Sequence, residues 1–296
     1  MKAMIKRNTM LFFKDKGMFF TALITPGILL VLYATFLGKV YRDSFLASLP
    51  EGVTMTDKLI DGFVGGQLVS SILAVSCVTV AFCSNMRMVQ DKANGTIKDL
   101  TISPVRTTTL ALSYYIGTLL STLIICFAGA GVCLAYVASV GWYMSITDIL
   151  FVIADIFLLV MFGTALSSVI NFFLSSQGQI SAVGTIMSAG YGFICGAYMP
   201  LSQFSEGLQK VLLFLPGTYG TSLIRNHSLA GVFRQMGKEN LPDEVISSFR
   251  DAVDCNLYFF EEKVPVGIMY VIMIASVLLF LGIYVMLNVM KRKATK

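Results

Sequence analysis

The sequence predicts an all-α membrane protein with six transmembrane helices, an interfacial helix at the N-terminus, one short cytoplasmic helix, and re-entrant helices on the extracellular side. Three observations lead there. Hydrophobic residues make up 56% of the 296 and charged residues only 13%, with a mean hydropathy of +0.76, too apolar for a soluble domain to cover its own surface. The apolar residues gather in uncharged tracts near the roughly 20 residues that a helix needs to cross hydrocarbon. Lys and Arg gather in three segments that alternate with pairs of tracts, as the positive-inside rule requires.

Residues 1–17, "MKAMIKRNTMLFFKDKG", place Met1, Met4, Ile5, Leu11 and Phe12 along one side of a helix and Lys2, Lys6, Arg7 and Lys14 largely opposite. That pattern suits a helix lying in the headgroup layer. The first span is 18–37, with a kink expected at Pro26. It is long enough to cross, and no small-residue cleavage site follows it, so it is expected to stay in the mature protein. The second span is 63–86. The 41 residues between Arg106 and Asp148 could hold one long helix plus a wet turn at "SVGWYMSIT", or two tight spans. One span, 110–138, keeps the basic tail on the same side as the other basic segments. The polar turn "SSQGQ", 175–179, separates spans 149–173 and 180–199, and 264–290 is the sixth.

Between the fifth and sixth spans lies an external region, 200–263. "VLLFLP" is too short to cross, and Pro200 and Pro216 interrupt backbone hydrogen bonding at its edges, which at membrane depth is tolerated only beside protein or a water-filled path. Residues 200–225 therefore read as re-entrant or interfacial helices. Either an external gate or a passive cover fits them. The stretch on to Lys263, polar and carrying Pro242, is expected to be a cap of loops and short helices. The whole chain reads as one transmembrane domain.

Charge sets the orientation. Residues 1–17, 87–106 and the tail from Lys291 carry net charges of +4, +2 and +4, and the rest of the chain is net −5. Both termini are thus expected in the cytoplasm. The basic excess is a topology signal and an attraction to anionic lipid, not a nucleic-acid footprint. Five of the six cysteines lie in predicted spans and behave as small apolar residues; Cys255 falls in the external region. With one histidine, His227, and no CxxC, no metal site is expected, and His227 reads as a solvated or headgroup-level side chain. Phosphate-loop, nucleophile-elbow and HExxH patterns are missing, so no catalytic or cofactor-binding residue is assigned. Asp155 lies well inside the fourth span, where a carboxylate is costly and is either functional and paired or hydrated near the surface. Gly62 with Gly66 and Gly192 with Gly196 permit close helix approach, within one subunit or at a dimer or gate contact.

Residues 91–110, "DKANGTIKDLTISPVRTTTL", are a polar island. Asn94-Gly95 breaks the helix before it, Ser103-Pro104 starts a new one, and Ile97 and Leu100 stand on one side of the short helix between them. Such a helix is a lever for a soluble partner, or an ordinary solvated loop.

Two stretches together resemble the membrane subunits of type-2 ABC transporters, exporter permeases that include daunorubicin-resistance-like and capsule-export members. One is "GTIKDLTISPV", similar to the family's Gly-Thr, hydrophobic, Ser-Pro pattern before the third span. The other is "GAYMPLSQFSEGLQKVLLFLPGTYGTSLIR", similar to its Gly-x-x-x-Pro followed by Leu-Pro and an aromatic. The family's usual acid before Gly-Thr is displaced here: "QDKANGT" puts Asp91 four residues ahead of Gly95. The resemblance implies a coupling helix that meets an ATP-binding cassette subunit through Gly95, Thr96, Ile97, Leu100, Ser103 and Pro104. It also implies an external gate at Pro200, Leu215, Pro216 and Tyr219. ATP and magnesium belong to the partner, none to this chain, and a second permease copy or homologue completes the path. Asp155, Tyr114 and Tyr115 are path or buried polar residues, and Tyr33 and Phe36 face either a path or lipid. Such walls would suit an amphiphilic drug, peptide or lipid-linked cargo. An ion-coupled carrier or channel, a membrane enzyme and a scaffold are the other function classes considered.

Overall fold

The computed structural model describes residues 1–47, 49, 55–102, 105–260 and 262–294. The helices, in chain order, are α1 (Lys2–Lys14), α2 (Lys16–Leu32), which runs through a π-helical turn at Tyr33–Leu37 into α3 (Gly38–Ala47), α4 (Asp57–Ala93), α5 (Thr96–Ile102), α6 (Thr107–Val140), α7 (Ile146–Phe173), α8 (Gln177–Ile194), α9 (Glu206–Leu213), α10 (Pro216–Lys238), α11 (Asp243–Ala252) and α12 (Val266–Ala294). A two-stranded antiparallel hairpin, β1 (Leu257–Phe259) and β2 (Glu262–Val264), pairs Tyr258 with Lys263. No sequence signal announced this hairpin.

Five helices are long and apolar enough to cross a membrane: Lys16–Leu46, α4, α6, α7 and α12. Tract 107–147 holds a single spanning helix, α6, followed by a non-helical connection at 141–145. The expected fifth span corresponds to α8, whose 18 residues include glycines, serines and glutamines that dilute its apolar character. Its helix starts earlier than the sequence suggested. Ser176 caps it, with Gln179 returning the bond in a capping box, so most of "SSQGQ" lies in the first helical turn. An equivalent box, Ser145 with Asp148, starts α7.

At the centre stands α4, about 55 Å long at 1.5 Å per residue, whose apolar window is wholly buried. It is surrounded by α2, α6, α7, α8 and α10. It outruns its predicted span at both ends because its polar ends find partners within the chain: Arg42 pairs with Asp57 and Asp61 at one end, and Asp91 is buried at the other.

The largest departure from expectation is α10, a continuous helix of 23 residues through a stretch read from sequence partly as external loops. Small residues let it sit down on its neighbours. A Cβ at Gly66 would meet Leu229 at 2.7 Å, and one at Gly231 would meet the Tyr143 carbonyl oxygen at 2.0 Å. The four glycines singled out above are packed within the chain: Gly62 lies against Tyr143, Gly192 against the Tyr198 ring, and Gly196 takes a φ of +71°. All six cysteines, Cys255 included, are free and buried.

Candidate functional site at the basic end of the bundle

The end of the bundle that gathers α1, α5 and the last turn of α12 is organised by Asp91, near the C-terminus of α4. Its carboxylate is fully buried and takes three partners from three helices. Arg7 of α1 donates to Oδ2 at 2.9 Å, the Tyr114 hydroxyl of α6 donates to the same oxygen at 2.7 Å, and Arg87, one turn back on α4, approaches Oδ1 at 3.0 Å. A buried carboxylate is tolerable only when so paired. Arg7 therefore turns inward rather than into a headgroup layer, correcting its place on the basic side of α1. Beside it, Asn8 donates to the Ser113 carbonyl at 3.3 Å, over Gly117, where a Cβ would come within 2.9 Å of Asn8. Phe12 completes the buried side of α1. The displaced acid of "QDKANGT" is thus paired within the chain, by Arg7 and Tyr114.

Two residues on, α4 ends. Gly95 takes a φ of +78°, a left-handed conformation that costs glycine nothing and lets the chain reverse. Helix α5 follows at once. Ile97 and Leu100 are half-buried against a cluster that includes Met88, Leu110, Tyr114 and Tyr284, so this side of α5 is seated on the bundle, and Asp99 points to the exterior. Thr96 opens the helix; Ser103 and Pro104 lie outside the described residues. Lys92 fastens the same corner to α7. Its ammonium donates to the carbonyls of Phe172 at 2.6 Å, Asn171 at 2.8 Å and Leu174 at 3.2 Å, acceptors at a helix C-terminus with its negative dipole end. Nothing in the sequence marks Lys92 as a cap, because its partners are about 80 positions away.

A groove of about 1110 Å³ lies between α2, α4 and α8. Its walls include Thr21, Thr25, Tyr33, Gln90, Thr185, Ser188 and Tyr198. It runs from Asp15 at the basic end to Pro200 at the other, and Asp15 is the one charged side chain lining it among the described residues.

A family model described as ABC-2 type transporter matches residues 1–227. The chain belongs to the ABC-2 type transporter family. It is a multi-pass membrane protein and the permease component of an ABC-type transporter, a membrane transport component that is not itself catalytic. The family implies an ATP-binding cassette partner. No curated protein matches the chain closely enough to add to this.

In the permease, the other residues singled out from sequence are scattered. Tyr114 belongs to the Asp91 hub, and Tyr115 is buried and donates to the Met161 carbonyl at 3.3 Å, so neither lines the groove. Tyr33 does line it, whereas Phe36 is 63% exposed. Pro200 stands at the groove's far end, apart from the turn that joins α9 to α10. There Leu215 precedes the helix, Pro216 begins it, and Tyr219 and Thr218 donate to the Leu213 and Leu212 carbonyls at 2.7 and 2.8 Å. Arg225, fully buried on α10, pins this region together. It donates to the carbonyls of Val253 at 2.8 Å and Gly196 at 3.0 Å and to Asp254 at 3.2 Å. Asp155 is buried and paired, and its partner is His227 at 2.6 Å, which corrects the reading of His227 as a solvated side chain.

Proposed function

We propose that the permease is the membrane half of an ATP-driven exporter, working as a dimer of two copies or of one copy and a homologue. Each subunit docks an ATPase that supplies ATP and magnesium chemistry. The basic end faces the cytoplasm of a bacterial-type cell, with both termini inside. In this reading α8 crosses as the fifth of six spans, and α9 with the start of α10 re-enters from outside as a gate.

One observation carries the proposal: α5 is a short helix held between two long ones and braced from below by Lys92 and the Asp91 hub. A push on α5 from a nucleotide-driven partner therefore moves the ends of α4, α6 and α7 together. The groove along α2 and α8 would form one wall of the path, its hydroxyl and aromatic lining suiting an amphiphilic drug, peptide or lipid-linked cargo. Differential binding of ATP to the closed ATPase supplies the bias.

Vesicles holding the permease with its ATPase test this: cargo should move only with hydrolysable ATP, and Leu100→Asp, which unseats α5, should reduce export while the membrane helices stay folded. Full export by Leu100→Asp would remove α5 from the mechanism. The Asp155–His227 pair favours one other reading, a proton-coupled carrier, for which flux driven by an ion gradient without ATPase would be the deciding result.

A further inference from the structure

The chain has a single histidine, and it lies against the acid that stands well inside α7. Asp155, 2% exposed, has both oxygens occupied. Oδ2 lies 2.6 Å from His227 Nδ1 on α10, and Oδ1 accepts from the Tyr270 hydroxyl of α12 at 2.5 Å. Phe151 of α7 stacks on the imidazole with centroids 4.8 Å apart and planes 15° from parallel, and the Tyr270 ring lies at 6.3 Å. We propose that Asp155, His227 and Tyr270 form a proton-binding site that fastens α10 to α7 and α12, so that a bound proton holds α10 in place.

The argument rests on net charge. With the proton, the site is an imidazolium beside a carboxylate and is neutral as a whole; without it, a net negative charge remains in a largely apolar surround. An unbalanced buried charge costs more than a balanced pair. The packed arrangement therefore binds the proton more tightly than one in which α10 has moved and water reaches Asp155. Whichever arrangement binds the proton more tightly gains population as pH falls. The His227 side chain is 15% exposed.

No other formal charge among the described residues competes at the site. The Cys77 thiol of α4, with Cys126 of α6 beside it, is the further titratable group that senses Asp155. On α10 and α7, Arg225 and Arg234 are paired with Asp254 and Asp148, and α12 carries no charged residue before Lys291. The site stands by itself; its role as a brake on export rests on the reading of α10 as part of the outer gate.

Because His227 is the sole histidine, the full chain purified through a histidine-free tag and labelled with ¹⁵N-histidine gives one imidazole to titrate. The expected result is that Asp155→Asn, a near-isosteric change that removes the opposing charge, moves protonation of the imidazole to lower pH. Imidazole protonation unmoved by Asp155→Asn overturns the site. Hydrogen exchange along α10, corrected for intrinsic rates, reads the second half: acidification should slow it in the wild type and not in His227→Gln. Equal responses overturn the fastening. Neither measurement needs ATP or cargo, so both results as expected with export absent at every pH would count against the exporter reading and not against the proton site.

Discussion

Replacing Asp91 by Ala removes the anchor shared by three helices, and its effect follows from the partners. The Tyr114 hydroxyl is buried, and a hydrogen bond to a charged acceptor contributes about 1.5–3 kcal/mol. The two arginines keep 30% and 21% of their side chains exposed and can rehydrate, so each ion pair contributes only about 0.5–1 kcal/mol. Asp91→Ala should then cost roughly 2.5–5 kcal/mol, most of it through α6 rather than α1. Arg7→Met breaks only the α1 arm and should cost about 1 kcal/mol or less, since Asn8 and Phe12 still hold that helix. Thermal unfolding in detergent measures the first quantity, and hydrogen exchange of residues 2–14 measures the second. Both variants should loosen α1 alike, while only Asp91→Ala lowers global stability substantially. Equal global loss in the two variants, or unchanged exchange in α1, would refute the hub.

Three further outcomes follow from the same geometry. Lys92→Met strands the Phe172 and Leu174 carbonyls at the end of α7 and should cost about 1–3 kcal/mol, with much of the loss recovered in Lys92→Arg; unfolding midpoints of the pair check this. Gly231→Ala drives a methyl into the Tyr143 carbonyl and should cost at least about 1–3 kcal/mol, whereas Gly237→Ala, where a Cβ meets nothing within 4 Å, should be neutral or mildly stabilising; similar effects at both positions would refute the close seat of α10. Burial pushes the Asp254 carboxyl up to about 6, against the lowering effect of Arg225. A folded-state value above the unfolded one of about 3.9 means that the protonated acid stabilises the fold, fully below about pH 4 and decreasingly as pH rises through about 6. Wild type should therefore lose stability relative to Asp254→Asn between about pH 4 and 7, and a difference constant over that window would contradict it.

Much of the fold could be read from the sequence because span assignment sums local transfer free energies, and each ~20-residue tract carries its own sum. The start of α5 was readable for a similar reason: Asn94-Gly95 is a local stop signal that acts on the residues beside it. Polar helix ends were underestimated. Asp61 and Asp91 look like points where a helix leaves the membrane, yet α4 continues through both, where Arg42 and Arg7 supply partners. The same limit hid α10, whose Arg225, His227 and Arg234 argue against a buried helix until Asp254, Asp155 and Asp148 are seen beside them.

The sequence by itself determined that this chain lives in lipid, which end of the bundle is basic, and where a short polar helix interrupts the greasy ones. Those properties depend on composition and on neighbours a few residues apart. Only the tertiary structure decided that Arg7 meets Asp91 across 84 positions, that His227 meets Asp155 across 72, and that Lys92 closes the end of α7. A buried charge carries no mark of its partner in the local sequence; the partner is set by which helices pack together, and that is fixed by the shape of the whole bundle.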